Sequence, residues 1–243
     1  MKVRWRRRGL PRVSLPGRSP VRWLVTACGL GVLVVALIGG AEPYRQTREF
    51  RAVAACEQGG GGCFETERGS IADRRTYTTT STQTDANGHS TTTTTTHFEV
   101  TWQRADGSRR ARDVPSDFYS KAREGDAAEL RLWRGEVVGV QVTGAEAWFL
   151  PTSGSTLRWW LHLGFLGLGV LLWGLFLGWW DGLFMLAFRT FAWMFLSFVP
   201  VSATTHALAY GWPGGWGLVG ELAMAGVFTA IAGGMLYTSL DGW

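Results

Sequence analysis

The sequence predicts a membrane α-helical protein with four transmembrane helices and a small, mainly-β extracytoplasmic domain. Three observations predict this. Four apolar runs each approach or exceed the ~20 residues that carry a helix across a bilayer core. The segment 41–156, between the first and second runs, is polar and reads as short alternating strands. Residues 1–22 hold eight basic side chains and no acid, directly before the first apolar run.

That leader sets the direction. The chain is formally +5 with a pI near 9.5, yet residues 41–156 carry 14 basic and 16 acidic groups. Positive charge concentrated beside an apolar run orients a membrane helix and excludes a nucleic-acid arm. The first span is Trp23–Gly40. Small residues at Gly39 and Ala41 would also suit cleavage of a signal peptide, but the long leader and the later spans favour an uncleaved anchor.

The second span, 157–180, has Trp159-Trp160 at one end and Trp179-Trp180 at the other. Indole pairs about 30 Å apart along a helix mark the two interfaces. The third span is 183–209 and the fourth 216–240, joined by the turn-rich GWPGGWG. With the leader retained inside, both termini are cytoplasmic, the protein is a multi-pass protein of the cell membrane, and 41–156 is exported.

The exported segment contains the threonine-rich RTYTTTSTQTDANGHSTTTTTTHFEVTW, residues 75–102. Threonine is β-branched and favours strands, and Asn87-Gly88 suits the centre of a two-residue type I′ turn. That turn would pair Tyr77 with Phe98, Arg75 with Val100 and Asp73 with Trp102. Phe98, Val100 and Trp102 then share one face at the base, and the part beyond Thr78 and Thr96 is a polar ribbon. A disordered tract is the competing reading, and O-linked sugar would suit either. Downstream, a strand pair turns at Ala-Asp-Gly-Ser, and PSDFYSKAREG forms a short helix with Ser116 as its cap and Gly125 ending it. AAELRLW and VVGVQVTG form a second hairpin around Arg134-Gly135-Glu136. About five strands and a helix fit an OB- or SH3-like barrel, or a sheet with one helix packed on it.

The stretch DFYSKAREGDAAELRLWRGEVVGVQV, set between a basic leader with one span and three further spans, resembles uncharacterised multi-pass membrane proteins of high-GC actinobacteria. It is also similar to a more widespread domain-of-unknown-function family with a β module between membrane helices. The resemblance implies that layout and carries no activity or catalytic residue.

Cys56 and Cys63 bracket CEQGGGGC, and a close pair outside the cytoplasm forms a disulfide. Cys28 lies within the first span and is read as packing. A zinc site using the pair with His89 and His97 fits no familiar spacing. By helical rise, His162, His206 and Glu221 fall at one depth near the outer ends of spans two to four, a candidate polar intramembrane cluster. Gly174 and Gly178 on span two, and Gly226, Ala230 and Gly234 on span four, form small-residue stripes suited to helix packing. Phosphate-loop, nucleophile-elbow and His-Glu-x-x-His motifs are absent, so no catalytic residue, metal or cofactor is expected. The partners expected are the lipid bilayer and, through the threonine ribbon, an envelope protein or polysaccharide. The alternative is a transporter or channel subunit, or a membrane metal or redox protein, built on His162, His206 and Glu221.

Overall fold

The computed structural model describes residues 20–84, 89–177, 183–212 and 215–241. The basic leader up to residue 19, the Asn87-Gly88 turn and Gly178 therefore lie outside the described residues. The chain divides into two units, one of residues 1–48 with 152–243 and one of residues 49–151.

Among the described residues, four helices are long and apolar enough to cross a membrane. They are α1 (Pro20–Gly60), α3 (Thr152–Leu172, continued by a π-helical turn over Trp173–Leu177), α4 (Leu183–Tyr210) and α5 (Trp216–Asp241). The first span was expected to stop at Gly40, but α1 continues to Gly60. The reason is local. Residues 41–60 are rich in Ala, Glu, Arg and Gln, all good helix formers. Glu42 pairs with Arg45 at 2.7 Å and accepts from Gln46 Nε2 at 2.8 Å, contacts one turn apart. Pro43 removes one backbone donor without ending the helix. The stop comes where Gly61 and Gly62 adopt φ of +76° and +79°, and Gly61 N–H returns to Glu57 O.

The second unit is a six-stranded antiparallel sheet with strand order β3-β2-β1-β4-β5-β6. The strands are β1 (Glu65–Thr84), β2 (Ser90–Gln103), β3 (Arg109–Asp113), β4 (Ala127–Trp133), β5 (Glu136–Val142) and β6 (Ala145–Trp148), with helix α2 (Ser116–Lys121) between β3 and β4. β6 is an addition to the five strands expected. It has only four residues, too short an alternation to separate from the linker that follows. Phe149 N–H extends its pairing to Val138 O at 2.8 Å. Ser116 is not the cap expected. Pro115 precedes α2, no side chain caps it, and the Ser116 hydroxyl instead donates to Asp117 at 3.4 Å.

The sheet coils strongly. β3 and β5 are four places apart in the strand order, which on a flat sheet is about 19 Å. Arg112 of β3 nevertheless reaches Glu136 of β5 at 3.3 Å. Inside the curl lie Ile71, Val100, Trp102, Phe118, Leu130 and Val140, each 2% exposed or less. Trp102 stacks on Phe149 with centroids 5.3 Å apart. The last turns of α1 belong to this unit. Phe50 is fully buried, with ring contacts to Phe64 at 5.9 Å and Trp133 at 5.4 Å, and Ala54 lies one turn on along the same face.

One ion pair ties the β2–β3 turn to β1. Arg104 grips Glu67 through Nε at 3.1 Å and Nη2 at 2.7 Å, and Ala105 N–H adds 2.8 Å. The Arg104 hydrogen bond foremost, then that of Ala105, holds the Glu67 carboxyl below its ordinary range. A depressed folded value means stabilisation present above the ordinary carboxylate range and lost as pH falls through the depressed value. Glu67→Gln should therefore unfold a few degrees below wild type at neutral pH, with the gap closing in acid. Thermal unfolding followed from neutral pH down to pH ~2 checks this.

Candidate functional site: the threonine ribbon and its base

β1 and β2 pair from Ser70–Gln103 out to Thr84–Ser90, well past the last contacts of either with a third strand. The hairpin reading holds, but its register differs by one residue from the expectation. Tyr77 faces His97, Arg75 faces Glu99 and Thr76 faces Phe98. The last described pair is Thr84–Ser90, and the expected turn at Asn87-Gly88 lies outside the described residues. Below Arg74 the register shifts again at Ala72, a β-bulge between Ile71 and Asp73. The extra residue reverses which side chains of β1 face inward. Ile71 enters the core, whereas Arg75, Tyr77 and Thr79, which share its odd parity, lie across from Glu99, His97 and Thr95 on the opposite face.

That face carries a polar constellation at the ribbon's base. The Tyr77 and His97 rings stack with centroids 4.8 Å apart and planes 9° from parallel. Tyr77 donates its hydroxyl to Asp113 of β3, 3.1 Å from Oδ2. His97 Nδ1 lies 3.5 Å from the same oxygen, and its Nε2 lies 2.9 Å from Thr79 Oγ1. Arg75 pairs with Glu99 at 2.9 Å and stands over the Tyr77 ring. Desolvation, then the bond to Asp113, raises the Tyr77 hydroxyl above its ordinary value, so it remains a donor at neutral pH. The Thr79 hydroxyl, His97 imidazole and Asp113 carboxylate follow one another in an order that resembles an acid–base relay in connectivity. It stands on an open face, with the Asp113 side chain 51% exposed, and water competes there with every charge it could stabilise. It presents hydrogen-bonding groups on an open face. The sequence offered one signal for it, the Tyr and His near mirror positions of a hairpin, and Asp113 was invisible because β3 is distant in the chain.

On the other face, Arg74 lies 4.1 Å from the Tyr119 ring centroid and donates to Tyr119 O at 2.9 Å, and Thr76 donates to the Tyr119 hydroxyl. These contacts finish the core. Beyond them, residues 78–84 and 90–96 are all exposed. Threonine there faces threonine, as in Thr82–Thr92 at 3.3 Å between hydroxyls, and no residue of either stretch is charged.

Cys56 and Cys63 are joined, with Cα atoms 6.1 Å apart, which links the end of α1 to the start of β1. Cys63 N–H donates to Glu57 Oε2 at 2.9 Å, and the other Glu57 oxygen meets Arg131 Nε at 3.3 Å. His89 and His97 lie on or beside the ribbon and form no metal-ligating group with the cysteines.

In the helical unit the expected polar cluster is not assembled. Among the described residues no three His, Cys, Asp or Glu side chains lie together as a metal site. His162 Nδ1 instead contacts Ser197 Oγ of α4 at 3.0 Å, and Ser197 donates its own proton to Met194 O at 2.6 Å. Ser197 has one proton to give, so His162 Nδ1 is the donor in their bond. His206 packs against Tyr210 one turn away. Glu221 Oε2 is enclosed without a hydrogen bond among the described residues. Equal depth along three helices did not bring the side chains to one place, because helix rotation was unconstrained by the sequence.

The glycine stripes divide. A Cβ at Gly174 would lie 2.7 Å from Thr26 Oγ1, one at Gly29 would lie 2.6 Å from Leu171 N, and one at Gly167 would lie 3.0 Å from Leu33 N. α1 and α3 are therefore antiparallel with their backbones in close approach. Arg22 completes the contact by donating to Leu175 O at 3.1 Å. Gly169 makes room for Trp193, whose indole donates to Phe165 O at 2.8 Å. On α5 the stripe does not pack. Gly226 and Gly234 have nothing within 4 Å of an added Cβ, and Ala230 is exposed. Phe228 against Phe195, and the buried Ala232, form the packed side instead. An apolar recess of about 570 Å³ lies between α1, α3 and α4, with Ala36, Tyr44, Trp160 and Val201 among its walls. Gly174→Leu should sharply lower the yield and thermal stability of the detergent-extracted protein, whereas Gly226→Leu should leave both near wild type. Size-exclusion profiles after heating distinguish the two.

No family model, no curated protein and no solved structure matches the chain, so its function rests on its own residues.

Proposed function

We propose that this is a multi-pass cell-membrane protein whose β unit lies on the extracytoplasmic side and works as an interaction module, with the threonine ribbon as its contact surface. Both chain termini are then cytoplasmic. Two features support the placement. Gly40 on α1 and Leu157 on α3 meet at one end of the helical unit, so the segment between them leaves and returns on the same side. The basic leader holds the opposite end inside. The disulfide fits an oxidising compartment.

The observation that carries the interaction reading is the ribbon itself. Ordering its backbone costs about 1–2 kcal/mol per residue, and residues 78–84 and 90–96 bury nothing in return. The Tyr77–His97–Asp113 base and the bulge at Ala72 brace it. Such an arm presents hydroxyl rows on two faces and strand edges on two sides, the features by which extended partners are gripped.

Deleting residues 79–95 should leave the disulfide and membrane abundance intact and abolish capture of whatever the wild-type chain retains in a cross-linked membrane pull-down. Retention of the same species by the deletion variant would end the reading. Placement has its own test. In intact cells a membrane-impermeant thiol reagent should label Cys56 and Cys63 only after reduction. Labelling that requires lysis would put the β unit inside.

A further inference from the structure

We propose that the ribbon's partner is a second copy of this chain, joined by antiparallel pairing of β2 with β2 of the second copy about a two-fold axis at Thr93. The inference rests on the ribbon being a contact arm on a membrane-confined protein, and it names that arm's partner.

The outer edge of β2 is used only at its base. β3 pairs with Glu99–Gln103, and Val114 N–H bonds to Phe98 O at 2.8 Å. From Thr96 to Ser90 no further strand among the described residues takes this edge. A bare edge offers alternating unpaired N–H and C=O groups, and proteins commonly blunt it with lysine, proline or a bulge. Residues 90–96, STTTTTT, contain no charge and no proline, and the register shift in this strand pair lies far below, at Ala72.

The composition also selects the occupant. A foreign strand is chosen through alternating side chains that fit distinct pockets. A row of identical threonines holds no such information and cannot discriminate among extended peptides. It does complement itself. A two-fold at Thr93 sets Thr93 opposite Thr93 of the second copy, Thr92 opposite Thr94, Thr91 opposite Thr95 and Ser90 opposite Thr96. Threonine–threonine pairs are favourable across strands, and no like charges meet within the seam. The seam runs about 24 Å and stops before Phe98, whose carbonyl is already taken. It converts two marginal two-stranded ribbons into one four-stranded sheet. The contact is isologous and closes at two copies. Confinement to one membrane raises the effective concentration at which such a short seam forms.

The test uses the full chain in its own membranes. Two copies with different tags are co-expressed, each with Thr93 replaced by a photoreactive phenylalanine analogue, and the membranes are irradiated. The expected product is a covalent dimer carrying both tags, and it should disappear when Thr92→Lys and Thr94→Lys are added, because like charges then face each other across the seam. Membrane abundance and a closed Cys56–Cys63 bond confirm that the lysine variant is folded. A dimer that survives the lysines would overturn pairing at this edge. An adduct to a different protein would overturn the second copy and leave the contact arm standing. No adduct at all, together with unchanged capture after deletion of 79–95, would remove both.

Discussion

The β unit depends on one constraint, that a strand alternates its side chains and can reverse the alternation only by gaining or losing a residue. β1 has two incompatible tasks. At its base it must send Ile71 into a core with Trp102 and Leu130, and further out it must turn a tyrosine outward onto a histidine. The bulge at Ala72 reconciles them. Without it, the parity that buries Ile71 would carry Tyr77 toward the helix side, where Tyr119 already covers Arg74 and Thr76. The stacked ring pair, its carboxylate and the direction in which the ribbon leaves the sheet all follow from that single inserted residue.

The helical unit answers to a different constraint. In lipid, apolar surface gains little by meeting apolar surface, so helices associate where small residues let backbones come close and where polar groups find partners. α1 and α3 satisfy the first condition at Gly29, Gly167 and Gly174. α3 and α4 satisfy the second through Trp193 to Phe165 O and His162 to Ser197. α5 has neither kind of contact along its glycine stripe and leans on α4 by an aromatic stack.

What the sequence disclosed and what it hid follow from the range of the interactions. Apolar length marked four helices, alternation marked the strand pairs, and the short Cys56–Cys63 spacing marked the disulfide, all local signals. The ends were less legible. Residues 41–60 favour helix by composition, but the fall in hydropathy after Gly40 suggested a domain boundary there. The hairpin register missed by one because Asn87-Gly88 is a strong turn signal, and the pairing set by Trp102, Val100 and the bulge outweighed it. Asp113 beneath Tyr77 and His97, and Ser197 against His162, depend on strand order and helix rotation, which no single segment encodes.

The strand order also dictates a schedule. β1 lies between β2, which begins at Ser90, and β4, which begins only at Ala127. A hairpin closes in about 1–10 μs, whereas a ribosome needs seconds to add some sixty residues at ~5–20 per second. For those seconds the β4-facing edge of Glu65–Ser70 is bare on a nascent chain. That stretch reads ETERGS, with three charges that make it a poor template for stray strands. Once β4 arrives, it pairs with Glu65–Ser70 and the edge is closed. Charge therefore protects the edge that is exposed only during synthesis, and is missing from the ribbon edge that no strand among the described residues of the same chain covers.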